Sequence, residues 1–441
     1  MVKIIFKAYD IRGIYPSELN ENTAYKIGRA FVSFLKCRTV VVGRDMRESS
    51  EPLSVALMKG IMDQGADVIN IGLSTTPLLY FAIANYGYDS GIMITASHNP
   101  GEWNGFKMCR EKAIPLSGDT GIKDIQKLVE DADFKDVKKK GMLIGKAVLS
   151  DYMRFLTGFT KNISGIKVVV DTGNGMGSLT VSKIFRYLDC ELVPLYFELD
   201  GSFPNHEANP LKEETLKDLK KRVVKEKADF GIAFDGDGDR CCFVDENGEV
   251  ISNDLITALI ADEFLKYKPG ETVLYDLRSS KAVGEVISKK GKPVMCRVGH
   301  AFIKQQMRDV NAIFAGELSG HFYFRHQFFT ESDCLPMIII MRMLCEEGKT
   351  LSELVNPLKK YFASGEINSK VKDKDAKLSE LEEKYKDGKI VKLDGLSVYY
   401  DNWWFNARPS NTEPLLRLNL EADTKELMEQ KRDELLSVIR G

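Results

Sequence analysis

Residues 90–100 read SGIMITASHNP, residues 228–240 ADFGIAFDGDGDR and residues 311–321 NAIFAGELSGH, and each is an apolar run of strand character that ends in a polar, turn-rich loop. Two further apolar runs, with helical stretches between them, precede each one. They are TVVVGRD (39–45) and ADVINIG (66–72), then IKVVVDTGNG (166–175) and CELVPLY (190–196), then ETVLYDLRSS (271–280) and KPVMCRVGH (292–300). One pattern of strand, helix, strand, helix, strand therefore occurs three times, as a structural repeat without sequence identity. Near-continuous Val/Ile runs alternating with helices predict largely parallel sheets covered on both faces, and such sheets bind ligands beyond the carboxyl ends of their strands. Three loops at three strand ends can converge on one site. After each loop the chain returns as GFKMC (105–109), CCFVDENGEVI (241–251) or HFYFRH (321–326), predicting an antiparallel edge strand, the second with a hairpin-like Glu-Asn-Gly turn.

The remainder has another texture. A Lys/Glu-rich segment from Lys370 to Lys389 leads to SVYYDNWWFNARPSNTEPLLRLNLEA (397–422) and an amphipathic helix from Thr424 to Arg440, which reads as a smaller α+β domain. The expected fold is α/β with four domains, 1–148, 149–251, 252–364 and 365–441. Three are related mixed-sheet α/β domains and the fourth is α+β. A chain of 441 residues suits several cores with a cleft between them.

Lysine plus arginine (62) nearly balances aspartate plus glutamate (64), so no global field draws the protein to nucleic acid or an anionic membrane. The opening MVKIIFKAYD is too short in apolar residues for a secretory signal, and the most apolar stretch, around Pro336 to Leu344, is broken by Arg342. Eight cysteines without a Cys-x-x-Cys pair suit buried, reduced thiols, and the expected location is the cytoplasm. No P-loop or dinucleotide fingerprint occurs, and the five histidines lack helical metal spacing.

The chemistry sits in the loops. In Thr95-Ala-Ser-His-Asn-Pro100 the Asn-Pro-Gly ending turns the chain so as to present Ser97. A serine there can carry a phosphoryl group, whose charge of about −1.5 to −2 needs cations such as Lys107 or Arg12; taken alone, it also reads as a capping turn. Asp235-Gly-Asp-Gly-Asp239 aims three carboxylates inward at alternate positions, a set suited to a hard divalent cation, most plausibly magnesium. A calcium EF-hand reading fails because Arg240 stands sixth, where that loop needs glycine. Arg240 beside a metal would help bind phosphate. Gly316-Glu-Leu-Ser-Gly-His321 suits paired sugar hydroxyls, with Glu317 accepting from both, although a Gly-Glu turn with a capping serine is equally ordinary. Arg408-Pro-Ser-Asn-Thr-Glu-Pro414 has the makings of an anion nest, with Arg417 as a second fork, or of a polar turn with a solvated arginine.

Taken in order, AYDIRG (8–13), TASHNP (95–100), FDGDGDR (234–240), GELSGH (316–321) and RPSNTEP (408–414) resemble the α-D-phosphohexomutase superfamily along essentially the whole chain. The resemblance implies four domains around a central cleft. It implies reversible phosphoryl transfer between carbon 1 and carbon 6 of a hexose through a phosphoserine enzyme and a hexose 1,6-bisphosphate. By the same resemblance Ser97 is the phosphoserine and a metal ligand with Asp235, Asp237 and Asp239, around one Mg2+ per chain. Arg12, Lys107 and Arg240 surround the transferring group, Glu317 and Ser319 read the 3- and 4-hydroxyls, and Arg408, Ser410, Asn411, Thr412 and Arg417 clamp the other phosphate. Proton transfer falls to His321, His300 or His98, with Lys107 possible and His321 the first choice. Arg278 stands where the phosphomannomutase/phosphoglucomutase branch usually has lysine, so it binds without acting as a base. Leu318 and Asn411 favour that branch over phosphoglucosamine mutase, the alternative, and a sugar phosphatase is a further one. The expected partners are small hexose phosphates, with monomer or dimer left open.

Overall fold

The structure, a computed structural model, describes residues 5–135, 137–410 and 415–441. Four sheets follow one another along the chain, and the first three share one plan. In the first, the order is Trp103–Arg110, Ser90–Ile94, Thr39–Arg44, Asp67–Leu73. In the second it is Cys241–Asp245, Phe230–Phe234, Ser164–Asp171, Asp189–Leu195. In the third it is Phe322–Phe324, Phe314–Gly316, Thr272–Asp276, Lys292–Cys296. The three-strand repeat is parallel each time, and the strand bearing the conspicuous loop lies inside the sheet beside the first strand. The two strands Ser90–Ile94 and Phe230–Phe234 are buried along their whole length, which is why they read as continuous apolar runs.

The returning strands are antiparallel as expected, but they are not edges. Ile11–Ile14 pairs outside Trp103–Arg110, Val250–Ile251 outside Cys241–Asp245, and Thr330–Glu331 outside Phe322–Phe324. The first added strand comes from the N-terminal segment, far away in sequence, so nothing local in GFKMC announces it.

The helix Thr76–Tyr86 ties fold to site. Thr75 caps it by accepting from Leu78 N, Pro77 suits its first turn, and Gly87 ends it in the left-handed region (φ 69°). Its side chains from Thr76 to Ile83 are buried, and they join a continuous apolar cluster that runs through all three repeats. The apolar stretch near Pro336 is the buried helix Leu335–Glu347 of that core, and no described helix is long and apolar enough to cross a membrane. All eight cysteines are free.

The fourth sheet is antiparallel and has its own core. The final helix, Lys425–Arg440, is capped by Thr424 and buries Met428, Leu435 and Ile439, a spacing of seven and four that keeps one stripe inward.

Candidate active site

Ser97 stands just beyond the strand Ser90–Ile94 with φ 52°, a left-handed backbone that is uncommon for a non-glycine residue. The turn does not present it to solvent: Ser97 is fully buried, contrary to the expectation from Asn-Pro-Gly. The cause is the packing of the acidic loop over it. A Cβ on Gly236 would stand 2.4 Å from Ser97 O, so only glycine lets the two backbones approach this closely. Ser97 Oγ then donates to Asp235 Oδ2 at 2.6 Å, and His98 Nδ1 lies 3.3 Å away. Arg12 is held beside the loop, with Nε on Asp10 at 2.7 Å and Nη1 donating to Ala96 O and to Asn99.

Arg47, missed in the sequence, is the frame of this loop. Its fully buried guanidinium donates to Asp45 (3.1 Å) and to the carbonyls of Ser97 (2.9 Å), Asn99 (2.7 Å), Pro100 (2.5 Å) and Trp103 (3.0 Å). A planar fork with five donors is the one side chain that can serve so many carbonyls at once.

Asp235, Asp237 and Asp239 are buried together, with one carboxylate oxygen of each within 4.8 Å of the others. Lys107, opposite Met93 in the register, donates to Asp237 Oδ2 (2.6 Å) and Asp239 Oδ2 (2.5 Å). Thr76 Oγ1 donates to Asp237 Oδ2 at 2.5 Å and Thr76 N to Asp237 O at 3.0 Å, so the first repeat's helix holds the second repeat's loop. Among the described residues Asp237 Oδ1 and Asp239 Oδ1 are buried with no hydrogen-bond partner, Asp239 Oδ1 having only the ion-pair contact of His321 Nε2 at 3.5 Å. Orphaned carboxylate oxygens in an all-oxygen set fit a hard divalent cation. Burial and the neighbouring Asp237 and Asp239 push the Asp235 carboxyl up to about 7, the mark of excess negative charge.

The third loop brings Glu317, Ser319 and His321 to the same place. Glu317 accepts from Tyr323 at 2.9 Å and lies 3.1 Å from His321 Nδ1 and 3.4 Å from Arg278. Burial works against its charge, yet His321, Arg278 and Tyr323 hold the carboxyl well below the usual range. Ser319 Oγ is 2.8 Å from His321 Nδ1, while Asp239 is 3.5 Å and Arg240 Nε 3.2 Å from His321 Nε2. His321 thus contacts Asp239 of the acidic loop as well as Glu317 and Ser319 of its own loop. Burial and Arg240 oppose its protonation, but Asp239 and Glu317 prevail and raise it to about 9. His98 and His300 go the other way, lowered by burial and by the surrounding cations. Arg240 Nε is 3.9 Å from Asp235 Oδ2, so this cation stands beside the triad.

Arg278 is fixed by Asp276 Oδ2 at 2.7 Å. In the fourth unit Arg408 and Arg417 pair across adjacent strands and share Glu366, at 2.6 and 3.1 Å. Ser410 is buried nearby; Asn411 and Thr412 of the expected clamp lie outside the described residues. Glu366 and Thr76 also escaped the sequence reading. Neither sits in a recognisable loop, and only the folded chain brings them to the charges they touch.

A buried serine packed against an acidic loop, with Arg12, Lys107 and Arg240 bound to the same loops, is an arrangement suited to phosphoryl transfer. Four family profiles match in order. They are the phosphoglucomutase/phosphomannomutase alpha/beta/alpha domains I (residues 3–136), II (150–248) and III (252–361) and the C-terminal domain (366–438). A phosphomannomutase of Methanocaldococcus jannaschii is 43% identical over 440 residues, 99% of this chain and 97% of its own. One of Escherichia coli K12 is 43% identical over 448 residues, covering 98% of each chain. A solved structure of a phosphoglucomutase/phosphomannomutase family protein from Burkholderia thailandensis superposes with a TM-score of 0.91 at 34% identity, covering 98% of this chain and 96% of that one. The chain belongs to the phosphoglucomutase/phosphomannomutase family.

Proposed function

We propose that the protein moves a phosphoryl group reversibly between carbon 1 and carbon 6 of mannose or glucose phosphate, through phosphorylated Ser97 and a hexose 1,6-bisphosphate. The observation that carries this reading is Ser97 Oγ at 2.6 Å from Asp235, inside a triad in which Asp237 Oδ1 and Asp239 Oδ1 are buried without a hydrogen bond among the described residues. Relatives named phosphomannomutase, matched end to end, support the sugar class.

In this reading the four domains, 1–148, 149–251, 252–364 and 365–441, each contribute one loop. Asp235, Asp237 and Asp239, with an oxygen of the Ser97 phosphoryl group, would hold one Mg2+, which supplies charge stabilisation at the transferring phosphoryl oxygens. Phosphoryl transfer asks chiefly for positioning and charge balance, and Arg12, Lys107 and Arg240 supply both around Ser97. Glu317 and Ser319 accept and donate at the paired sugar hydroxyls. Arg408, Ser410, Asn411, Thr412 and Arg417 hold the phosphate that is not reacting, with Arg278 between clamp and sugar loop. Asp239 and Glu317 beside His321 favour its holding a proton. It gives that proton to the departing sugar oxygen in one direction and recovers it from the attacking hydroxyl in the other.

The test is direct: incubate the purified protein with magnesium and glucose 1,6-bisphosphate and map phosphorylation by peptide mass spectrometry. The expected result is one phosphoryl group on Ser97, lost in Ser97→Ala. Label on an aspartate, or on no residue, would refute the carrier role.

A further inference from the structure

Glu366 belongs to no loop discussed for the reaction, yet it stands in the middle of the arginine clamp. Its Oε2 accepts from Arg408 Nη2 at 2.6 Å and its Oε1 from Arg417 Nη1 at 3.1 Å, so one oxygen serves each guanidinium. Arg278 Nη1 stands 3.8 Å from Oε2. A carboxylate bridging two forks in this way takes the place that two oxygens of a phosphate would take.

The bridge leaves the forks unsatisfied. Arg408 Nε and Arg417 Nε are buried and have no hydrogen-bond partner among the described residues. A carboxylate has two oxygens to offer, and both are used on terminal nitrogens. A phosphate has a third and a tetrahedral shape, which allows it to meet an Nε together with an Nη on the same arginine.

Glu366 is also placed to leave. It follows Gly365, whose φ is 68° and whose Cβ position has nothing within 4 Å, in the link between Phe362–Ala363 and Ile367–Lys370. Its side chain keeps a quarter of its exposure, so water can take the carboxylate once it is displaced. Among the described residues, Asp276 and Glu317 beside Arg278 are committed elsewhere, Asp276 to Arg278 and Glu317 to Arg278, His321 and Tyr323. When Glu366 leaves, Arg408 and Arg417 offer two positive charges to a phosphate of about −1.5 to −2.

We propose that Glu366 is an internal competitor for the phosphate clamp, and that the substrate's non-reacting phosphate binds by displacing it from Arg408 and Arg417. The inference rests on the clamp assignment made above. It makes Glu366 a residue that weakens substrate binding, which is useful where a bisphosphorylated sugar has to let go of the clamp in order to turn around.

The experiment measures dissociation constants by calorimetry, for mannose 1-phosphate and for inorganic phosphate, in wild type, Glu366→Gln, Glu366→Ala, Arg417→Ala and the Glu366→Gln/Arg417→Ala double variant. Both Glu366 variants are expected to bind each ligand about fivefold more tightly than wild type, the scale of one partly exposed ion pair. The gain is expected to disappear in the Arg417→Ala background. Unchanged or weaker binding in the Glu366 variants would overturn the proposal, since it would make Glu366 a neutral or supporting part of the clamp. Turnover of mannose 1-phosphate by the wild type is followed separately. Tighter phosphate binding without any wild-type turnover would leave the competitor standing and remove the mutase reading.

Discussion

Gly236→Ala is the substitution that examines how the Ser97 loop and the acidic loop are held together. The added Cβ would meet Ser97 O at 2.4 Å, where ordinary contact begins at 3.4 Å, so the loops must part by about an ångström. Neither side can yield cheaply, because the obstacle is backbone and Arg47 pins that same Ser97 carbonyl at 2.9 Å. A displacement of that size in a phosphoryl-transfer site costs about 100-fold in rate, or about 2.7 kcal/mol of transition-state stabilisation. Overpacking should lower stability by about 1–3 kcal/mol, which leaves the protein folded. The assay is kcat/KM for mannose 1-phosphate in the presence of magnesium and hexose 1,6-bisphosphate, alongside thermal unfolding. Gly348→Ala is the control: its φ is positive, 62°, which Gly236 does not share, but nothing lies within 4 Å of its Cβ position and it ends a helix of the core. That variant should lose a little stability and no activity. If Gly236→Ala kept activity within threefold of wild type, close approach of the loops would not be what positions Ser97, and the argument would fail.

Two further outcomes follow from the buried charges. Arg47→Lys keeps the charge but cannot serve Asp45 and four carbonyls, so it should cost about 3 kcal/mol in unfolding free energy, as broken buried pairs do, and lower kcat as the Ser97 loop loosens. An unchanged urea midpoint would count against that role. His321, raised to about 9, stays protonated at neutral pH, so its stabilising effect is complete below about 6.5 and is lost as pH rises through about 9. Its NMR signal, assigned by loss in His321→Asn, should titrate near 9 without divalent cations and at lower pH with magnesium, which draws on the Asp239 charge. Titration near the ordinary histidine value in both conditions would contradict the contacts with Asp239 and Glu317.

The repeat and its three loops were legible because each is local. Burial on both faces forces Val/Ile runs such as Ser90–Ile94, and the tight bend of the acidic loop forces the glycines between its aspartates. What stayed hidden lies in contacts between distant segments. Ser97 and Asp235 are 138 residues apart, and Thr76 and Asp237 are 161 apart. The burial of Ser97 follows from the first of these contacts, so its own turn, read alone, pointed to exposure. Nothing in the sequence marks Arg47, since its carbonyl partners are set by the path of the 97–103 backbone and not by side-chain type. Glu366 lies in a link segment, SGEINS (364–369), with no motif to mark it, and only the pairing of Arg408 with Arg417 across two strands shows what it faces.

The central claim is that Ser97 carries the phosphoryl group between the two ends of one sugar. Phosphorus NMR of the protein with magnesium, mannose 1-phosphate and a trace of hexose 1,6-bisphosphate, run beside Ser97→Ala, tests it most directly. The account predicts that the 6-phosphate signal grows in the wild type alone, with no release of inorganic phosphate. Growth of inorganic phosphate in its place, or equal 6-phosphate formation by Ser97→Ala, would contradict it.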